Sequence, residues 1–420
     1  MHKSSPTGAD DRELATGWSL ILACALGVGF GSVGFNTYAI GAFINPLGDE
    51  FGWTRAQVQG AIAFGVGLGG LASPLVGLII DKYGGRRIAL VGLMGVSTGY
   101  VIAALTGPTL WTFYGAYAVI ALLGAGSAPV TWSRAIAERF ERRRGFALAL
   151  ALTGTGVAAI IVPQYAVFVV GNYGWRAGLL ALALLPLIAL VFAVFYFRPA
   201  TGTQRQPLSA NASASLRGAS LHEAIRSYRF WVLLLSILAM FLAISGIVPN
   251  LIPVLTDKGF TTTQAATVQS AYGFSLIIAR LGIGWLLDRF WGPGVASVVL
   301  TIPMLACLIL LNDPSFMEAV IASMLIGAAA GAELDLLAFF TARYFGMRSY
   351  GRIYGLLYLG VALGAGFGPV SFAFFADVTG SYATSFQIAL ALFAFGGISI
   401  LFLGRYPKQE VIGIGTPIQS

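Results

Sequence analysis

Continuous apolar runs of roughly 20 residues recur along the chain and are separated by short polar segments. A run of that length is what an α-helix needs to cross the hydrocarbon core of a bilayer. Strands of a membrane β-barrel alternate apolar and polar residues instead, whereas Ala147–Ala159 and Leu179–Phe197 show no such alternation. The pattern therefore predicts an all-α membrane protein.

Twelve predicted spans account for most of the chain. They are Trp18–Ala42, Val58–Ile80, Ile88–Leu105, Leu110–Trp132, Phe146–Val170, Trp175–Phe197, Phe230–Leu255, Ala265–Leu287, Val295–Leu311, Phe316–Ala342, Ile353–Asp377 and Phe386–Leu403. We expect two pseudo-symmetric six-helix halves, residues 1–197 and 230–404, joined by a cytoplasmic linker at 198–229 and followed by a cytoplasmic tail at 405–420. Leu221–Tyr228 within the linker is amphipathic and is expected at the membrane surface.

Charge refines this picture. The chain is 57% hydrophobic and only 10% charged, against about 25% charged in soluble domains. The net charge of +8 does not gather on one domain, so no nucleic-acid partner is expected. Basic residues in loops mark the cytoplasmic side, which predicts a multi-pass inner (plasma) membrane protein with both termini cytoplasmic. On one side lie only Arg55, Arg176 and Lys258, and on the other lie Lys82, Arg86, Arg87, Arg139, Arg142, Arg143, Arg144, the linker arginines, Arg289, Arg343, Arg348, Arg352, Arg405 and Lys408.

The two halves repeat each other. The segment Gly77–Lys82 recurs as Gly284–Arg289, and Arg139–Gly145 recurs loosely as Tyr344–Gly351 at nearly the same interval. Repeated halves are typical of secondary transporters, which bind substrate near the midplane between the repeats.

Three ionisable residues lie at bilayer depth, where each costs at least about 2.5–3.5 kcal/mol. Arg280 lies about 12 Å from the cytoplasmic end of its helix, and its guanidinium matches a carboxylate. It therefore either binds an anionic substrate or pairs with another helix. Glu333 and Asp335 lie at similar depth but roughly 200° apart around their helix. One of them pairs with Arg280 while the other carries a proton, or they satisfy polar groups between helices.

Neutral polar residues add weaker candidates for the substrate path, namely Asn36, Tyr38, Asn250, Tyr354 and Tyr358. The glycines at 27, 29 and 31 lie inside a span rather than between a strand and a helix, which excludes a dinucleotide loop. The sequence has no Walker sequence, metal-ligand cluster or nucleophile elbow. We therefore expect no catalytic residues, no cofactor and no metal, and the protein is not expected to be an enzyme.

The segment Gly77–Arg87 resembles the loop signature of the major facilitator superfamily, Gly-x-x-x-Asp-Arg/Lys-x-Gly-Arg-Arg/Lys. Gly85 stands where that family often has its first basic residue. The resemblance implies the twelve-helix major facilitator fold and alternating access. It also implies that Asp81, Arg86 and Arg87, with their counterparts Asp288 and Arg289, gate the cytoplasmic side. In the other interpretation the arginines only anchor topology at the anionic leaflet.

A narrower resemblance is to the monocarboxylate and oxalate porters of that superfamily. Phe140–Ala147 is similar to their fifth-helix start, Asn250–Asp257 is similar to their seventh-helix end, and Arg280 matches the arginine that holds a substrate carboxylate. Leu276 stands where some proton-coupled members have an Asp one turn before that arginine. Of the first-helix acidic signature only Gly17 and Trp18 remain.

These observations predict a secondary active transporter that moves a small organic anion by proton symport or anion exchange. Its expected partners are that substrate, protons and the bilayer, and it is expected to work as a monomer. The alternative is a multidrug or other efflux antiporter of the same fold, which Glu333 and Asp335 favour and Arg280 disfavours. A membrane sensor would carry a soluble output domain, and a simple channel does not need a duplicated body.

Overall fold

The computed structural model describes residues 6–32, 34–140, 144–197, 218–346 and 348–406. Nearly all of these residues are helical and none of them forms a β-strand, which confirms the all-α prediction. The helices are α1 (Pro6–Gly29), α2 (Gly34–Ala39), α3 (Ile44–Phe51), α4 (Arg55–Tyr83), α5 (Gly85–Ala104), α6 (Leu110–Gly124), α7 (Pro129–Arg139), α8 (Arg144–Leu152), α9 (Gly154–Tyr196), α10 (Leu221–Arg226), α11 (Tyr228–Asp257), α12 (Thr262–Arg289), α13 (Gly292–Thr301), α14 (Pro303–Leu311), α15 (Phe316–Phe345), α16 (Tyr350–Thr379) and α17 (Ala383–Ser399).

Nine helical stretches within the described ranges are long and apolar enough to cross a membrane, and a bent pair near the N-terminus makes a tenth. One of the nine, Phe146–Tyr196, is 51 residues long. It contains Gly174, whose φ of 83° breaks the helix and leaves enough residues for two spans. The 29-residue helix α4 supplies a further element of spanning length. The arrangement is consistent with twelve spans.

The first predicted span is continuous in sequence but bent in the structure. Leu14–Gly29 and Gly34–Ala42 meet at an angle of 55°. The amide nitrogen of Asn36 donates to the carbonyl oxygen of Ser32 at 2.8 Å, so a side chain satisfies a carbonyl at the bend. Hydropathy does not reveal such a break, because the residues on both sides of it are equally apolar.

Several helix ends are fixed by local sequence. Ser220 with Glu223, Thr261 with Gln264 and Ser315 with Glu318 form capping boxes at the starts of α10, α12 and α15. Helix α10 lies within the segment predicted to be amphipathic.

Two groups of helices meet along long interfaces. We call α1–α9 the N-terminal group and α11–α17 the C-terminal group. Helix α4 packs against α16, and α9 packs against α12. In the second interface, a Cβ atom on Gly273 would lie 2.7 Å from the carbonyl oxygen of Gly156. Only glycine permits this close backbone approach between the groups.

Candidate functional site

Arg280 lies at the interface between the two groups. It is half-buried on α12, about 27 Å from the start of that helix and about 14 Å from its end. Its Nη1 donates to the carbonyl oxygen of Leu152 at 2.8 Å and to the Thr155 hydroxyl at 3.0 Å. Both acceptors belong to the N-terminal group, so Arg280 joins the two groups directly.

These acceptors exist because the helical run from α8 to α9 is interrupted. Helix α8 ends at Leu152 and α9 begins at Gly154. The hydroxyl of Thr155 donates back to the Leu152 carbonyl at 2.9 Å, which leaves the hydroxyl oxygen lone pairs for Arg280. The interruption therefore presents two oxygen acceptors at one point of the interface.

Glu333 and Asp335 both lie within electrostatic range of the Arg280 guanidinium. Within the part of the chain that the structure describes, no acidic oxygen lies within the 4.0 Å of an ion pair with Arg280. Among these residues none neutralises the guanidinium by direct contact, and its remaining N–H groups are suited to an anion.

The two acids have different surroundings, as their 200° separation predicts. Glu333 is 7% exposed, and its Oε1 has no hydrogen-bond partner among the described residues. It faces a small cavity between α11 and α15 that has room for about one water molecule. The cavity is otherwise mainly apolar and is lined by Leu233, Ser236, Ile237, Met240, Phe241, Leu300, Leu336, Leu337, Phe340 and Ile400. Asp335 is only half-buried.

Tyr38 is the predicted site residue from the N-terminal group that the structure brings close to Arg280. Its buried ring lies 6.1 Å from the ring of Tyr272, centroid to centroid, and both phenols are within electrostatic range of Arg280 and Glu333. Gln269 donates to the Tyr38 carbonyl at 3.4 Å. Tyr38 and Tyr272 thus form an aromatic pair between the groups.

Asn36 and Asn250 are not brought to Arg280 in this way. Besides its bond to Ser32, Asn36 accepts a hydrogen bond from the Tyr100 hydroxyl at 2.6 Å. Asn250 is fully buried and donates to the carbonyl oxygens of Gly246 at 2.8 Å and Pro369 at 3.2 Å. These amides hold helices together, and their predicted role toward substrate stays a prediction.

The predicted cytoplasmic gate is described only in part. The side chains of Asp81 and Asp288 lie outside what the structure describes. Arg86 donates to the carbonyl oxygen of Val194 at 2.6 Å within its own group. Arg87 is exposed, and Arg289 lies over the Trp285 ring at 5.8 Å. The gating role of these residues is therefore not tested by the contacts.

Sequence reasoning missed a polar cluster at the other end of the bundle. Arg55 forms a bidentate ion pair with Asp257, and its guanidinium carbon lies 5.2 Å from the centroid of the Tyr382 ring. The Asp377 carboxylate accepts from the backbone N–H groups of Arg55 at 3.3 Å and Ala56 at 2.8 Å. We call Arg55, Asp257, Asp377 and Tyr382 the latch.

Asp377 places a carboxylate at the N-terminus of α4, where the helix dipole favours an anion. The sequence did hold a signal for this cluster. Arg55 is one of three basic residues predicted on that side. Asp257 is the last residue of α11, and Asp377 lies in the last turn of α16. Which of these ends meet one another is set by the tertiary structure alone.

Two buried glutamines make further contacts between the groups. Gln59 donates to the carbonyl oxygen of Pro249 at 3.2 Å. That carbonyl lacks its usual helical partner, because Pro253 four residues later has no N–H. Gln269 makes the equivalent contact to Tyr38. Proline in the seventh span thus creates an acceptor that a side chain from the other group satisfies.

The hydrogen bonds between the two groups are confined to one part of their interface. Among the described residues, every hydrogen bond that crosses between the groups lies between Arg280 and the latch. These bonds are made by Asn45, Arg55, Ala56, Gln59, Gln164, Gln269, Ser270 and Arg280. The interface is therefore closed at the end opposite the basic loops.

Comparison with known proteins agrees with this architecture. Residues 26–332 match the model of the Major Facilitator Superfamily. The structure is similar to that of a D-xylose–proton symporter, with a TM-score of 0.70 at 15% identity over 93% of this chain and 97% of the other. It is also similar to an inward-facing, occupied bacterial homologue of the human lysosomal transporter Spinster, with a TM-score of 0.68 at 15% identity over 95% and 97%. At this identity the two structures support the fold.

Two relatives of this chain are monocarboxylate transporters. Monocarboxylate transporter 11 of Homo sapiens is 25% identical over 414 residues, which cover 92% of this chain and 83% of the relative. Monocarboxylate transporter 13 of Bos taurus is 25% identical over 378 residues, which cover 88% and 85%. The family match and the apolar helices together identify this chain as a multi-pass membrane transporter rather than an enzyme. This chain therefore belongs to the major facilitator superfamily and resembles its monocarboxylate transporter branch.

Proposed function

We propose that this protein is a secondary active transporter of a small monocarboxylate, with Arg280 as the residue that binds the carboxylate. The observation that carries the proposal is the position of Arg280. It is half-buried between the two groups, bonded to neutral oxygens of Leu152 and Thr155, and not in direct contact with an acid in the described part of the chain. A carboxylate is the partner that best completes a guanidinium in that setting.

The same position suits alternating access. The hydrogen bonds from Arg280 to Leu152 and Thr155 cross between the groups that rock against each other. An anion that accepts hydrogen bonds from the remaining N–H groups of Arg280 changes the contacts that Arg280 makes between the two groups. Substrate binding is thereby linked to the movement of the groups.

We propose that the basic end is cytoplasmic, with both termini on that side of the plasma membrane, because loop arginines and lysines favour that orientation. The latch then faces the outside, and the structure corresponds to a state closed to the outside. Arg86, Arg87 and Arg289, with Asp81 and Asp288, are proposed to close the cytoplasmic side in the opposite state. We further propose that the two halves are residues 1–197 and 230–404 and that one chain is sufficient for transport.

We propose proton symport as the mode of coupling, with Glu333 or Asp335 as the proton carrier. Glu333 is buried without a hydrogen-bond partner for Oε1 in the described residues, and Asp335 lies within range of Arg280. A buried charge without a partner is costly. Each acid is thus suited to exchanging a proton as the groups move, and anion exchange is the alternative mode.

The same two acids favour a second candidate, efflux of a cationic or neutral solute in exchange for protons. A cation would require an accessible acid, and Asp335 is only half-buried. It would also have to bind beside the Arg280 guanidinium, which repels it. This repulsion is why the carboxylate proposal ranks first.

The test is uptake of labelled lactate, pyruvate, oxalate and formate into proteoliposomes, with and without an inward proton gradient. We expect uptake of at least one acid and a loss of more than about tenfold in Arg280→Ala, since hydrogen bonds to charged groups contribute about 1.5–3 kcal/mol each. Arg280→Lys is expected to recover only part of the activity, because an ammonium lacks the bidentate fork.

Arg226→Ala is the matched control, since Arg226 is an exposed arginine on the short helix α10. It removes the same charge far from the interface. If no acid is transported, or if Arg280→Ala transports as well as the unmodified protein, the carboxylate proposal is wrong. Uptake that is independent of the proton gradient but requires an anion inside the liposomes supports anion exchange instead.

A further inference from the structure

Three tyrosines form a stack along one helix. Tyr350, Tyr354 and Tyr358 are spaced four residues apart on α16. Their ring centroids are 5.7 Å apart in the first pair and 6.2 Å in the second, and the rings are inclined by only 24° and 25°. These values fall in the range of offset stacking between aromatic rings. We call these three residues the tyrosine stack.

The tyrosine stack does not face lipid. Successive residues in an α-helix are about 100° apart, so Phe367, nine residues after Tyr358, points in the opposite direction. Phe367 is 62% exposed, and with the exposed Leu359 and Leu363 it forms the apolar surface that α16 turns to the membrane. Tyr358 is nevertheless 39% exposed. Helix α16 thus has a second exposed strip on its inner side.

Helix α15 connects that inner strip with Arg280, because it packs against both α16 and α12. Its Asp335 lies within electrostatic range of Tyr354 and of Arg280. Helix α16 starts at the basic end with Tyr350, so Tyr358 lies about 12 Å along it, and Arg280 lies about 14 Å from the same end of α12. Tyr358 and Arg280 are therefore at nearly the same depth.

Tyr358 is the innermost residue of the tyrosine stack, and one face of its ring is not covered by Tyr354. Tyr354 lies against one side of Tyr358, and within the described ranges no aromatic ring stacks on the other. A two- or three-carbon acid gains little from stacking on an aromatic ring, because its apolar part is at most a single methyl group. An arene gains from stacking on an exposed aromatic face.

We propose that the substrate is an aryl monocarboxylate, whose carboxylate binds Arg280 and whose ring stacks on Tyr358. Tyr354 and Tyr350 then provide an aromatic path between the site and the basic end. This inference rests on the proposed function, because it assigns to Arg280 the carboxylate that the function requires. It adds the chemical class of the remainder of the substrate.

The experiment compares labelled benzoate and phenylacetate with lactate in proteoliposomes, at concentrations well below saturation. We expect the unmodified protein to transport at least one aryl acid, and excess aryl acid to inhibit lactate uptake. The ratio of aryl to lactate uptake is expected to fall about two- to tenfold in Tyr358→Leu, which keeps apolar volume but removes the ring. Tyr358→Phe, which keeps the ring, is expected to hold the ratio within about twofold.

Phe367→Ala is the matched control, because it removes an exposed aromatic side chain from the lipid-facing side of the same helix. Its ratio of aryl-acid to lactate uptake should equal that of the unmodified protein. Size-exclusion profiles and melting temperatures establish that each variant is folded before its ratio is interpreted.

The outcomes separate the two proposals. If lactate is transported while aryl acids are neither transported nor inhibitory, the aryl assignment is wrong and the carboxylate function stands. A ratio that falls equally in Tyr358→Phe and Tyr358→Leu shows that the hydroxyl rather than the ring matters, and also overturns the assignment. If no acid of either class is transported, the proposed function itself fails.

Discussion

The Arg55 guanidinium reaches from the start of α4 in the N-terminal group to the Asp257 carboxylate at the end of α11 in the C-terminal group. Asp377 from the same C-terminal group binds the backbone N–H groups at the start of α4. One cation and one helix N-terminus of the N-terminal group therefore face two carboxylates of the C-terminal group.

We predict that Arg55→Ala shifts the protein toward the state that is open at this end. The substitution removes the cation that pairs with Asp257, while Asp377 keeps its hydrogen bonds from the backbone at the start of α4. The pair is partly exposed, with 28% of the Arg55 side chain and 40% of the Asp257 side chain accessible. Pairs of this kind contribute about 0.2–1 kcal/mol. The open population should therefore rise about 1.4- to fivefold.

The shift can be measured by electron–electron double resonance between spin labels at Tyr173→Cys and Asp313→Cys, which are exposed positions at this end of different groups. Arg176→Ala is the control, because Arg176 pairs with Glu50 inside the N-terminal group. An unchanged distance distribution in Arg55→Ala, or an equal change in Arg176→Ala, would show that the latch does not hold the groups together.

Thr155 is predicted to position Arg280. Thr155→Val keeps the side-chain shape but removes the hydroxyl that accepts from Nη1 at 3.0 Å. The Leu152 carbonyl remains, so Arg280 should lose its orientation rather than its charge. We expect the KM for the transported carboxylate to rise about three- to tenfold, with a smaller change in maximal rate.

Thr155→Ser restores a hydroxyl on the same Cβ atom and should recover most of the affinity. A merely structural role for Thr155 would lower the amount of folded protein and the maximal rate in both variants without raising the KM. Initial-rate kinetics of the two variants distinguish these cases.

The stability of the folded protein at acid pH depends in part on Glu50. Hydrogen bonds from the Trp175 indole at 2.5 Å and from Arg176 at 2.8 Å hold the pKa of Glu50 below its ordinary value of 4.5. A carboxyl whose pKa is lower in the folded state stabilises the fold above its unfolded pKa, and this stability is lost as pH falls through the folded pKa. We therefore expect melting temperature to fall as pH is lowered below about 4.5.

Glu50→Gln should show a smaller fall over that pH range, because glutamine does not titrate. Asp49→Asn is the control, since Asp49 is the adjacent exposed carboxylate and makes no hydrogen bond among the described residues. Equal acid sensitivity in Glu50→Gln and the unmodified protein would refute the contribution of Glu50.

The sequence predicts the helices better than it predicts what they touch. Hydropathy locates the spans because each must be apolar along its length, and Arg280, Glu333 and Asp335 stand out because charge is costly there. The bend between Gly29 and Gly34 is invisible to hydropathy.

The contacts of Gln59 with Pro249, and of Arg55 with Asp257, join residues that are distant in the chain. No local pattern specifies them, because each depends on how two whole helices are placed. The amide groups of Asn36 and Asn250 have the polarity of substrate ligands, and only the packing shows that neighbouring helices already occupy them.

Proton coupling is predicted to depend on Glu333 more than on Asp335. Glu333 is the more buried acid, and the structure leaves its Oε1 without a hydrogen-bond partner in the described residues. A carboxylate in an apolar cavity is stabilised by taking up a proton, and it can release that proton when the groups move and Arg280 approaches. Glu333→Gln mimics the protonated form and should uncouple transport from the proton gradient.

The measurement is carboxylate uptake with and without an inward proton gradient, together with exchange between internal and external carboxylate. In Glu333→Gln we expect exchange to persist at a comparable rate, while gradient-driven uptake falls by about tenfold or more. Asp335→Asn is the comparison, because it neutralises the half-buried acid two residues away. If Asp335→Asn loses the gradient response and Glu333→Gln keeps it, Asp335 is the proton carrier and Glu333 is a buried polar group of the helix interface.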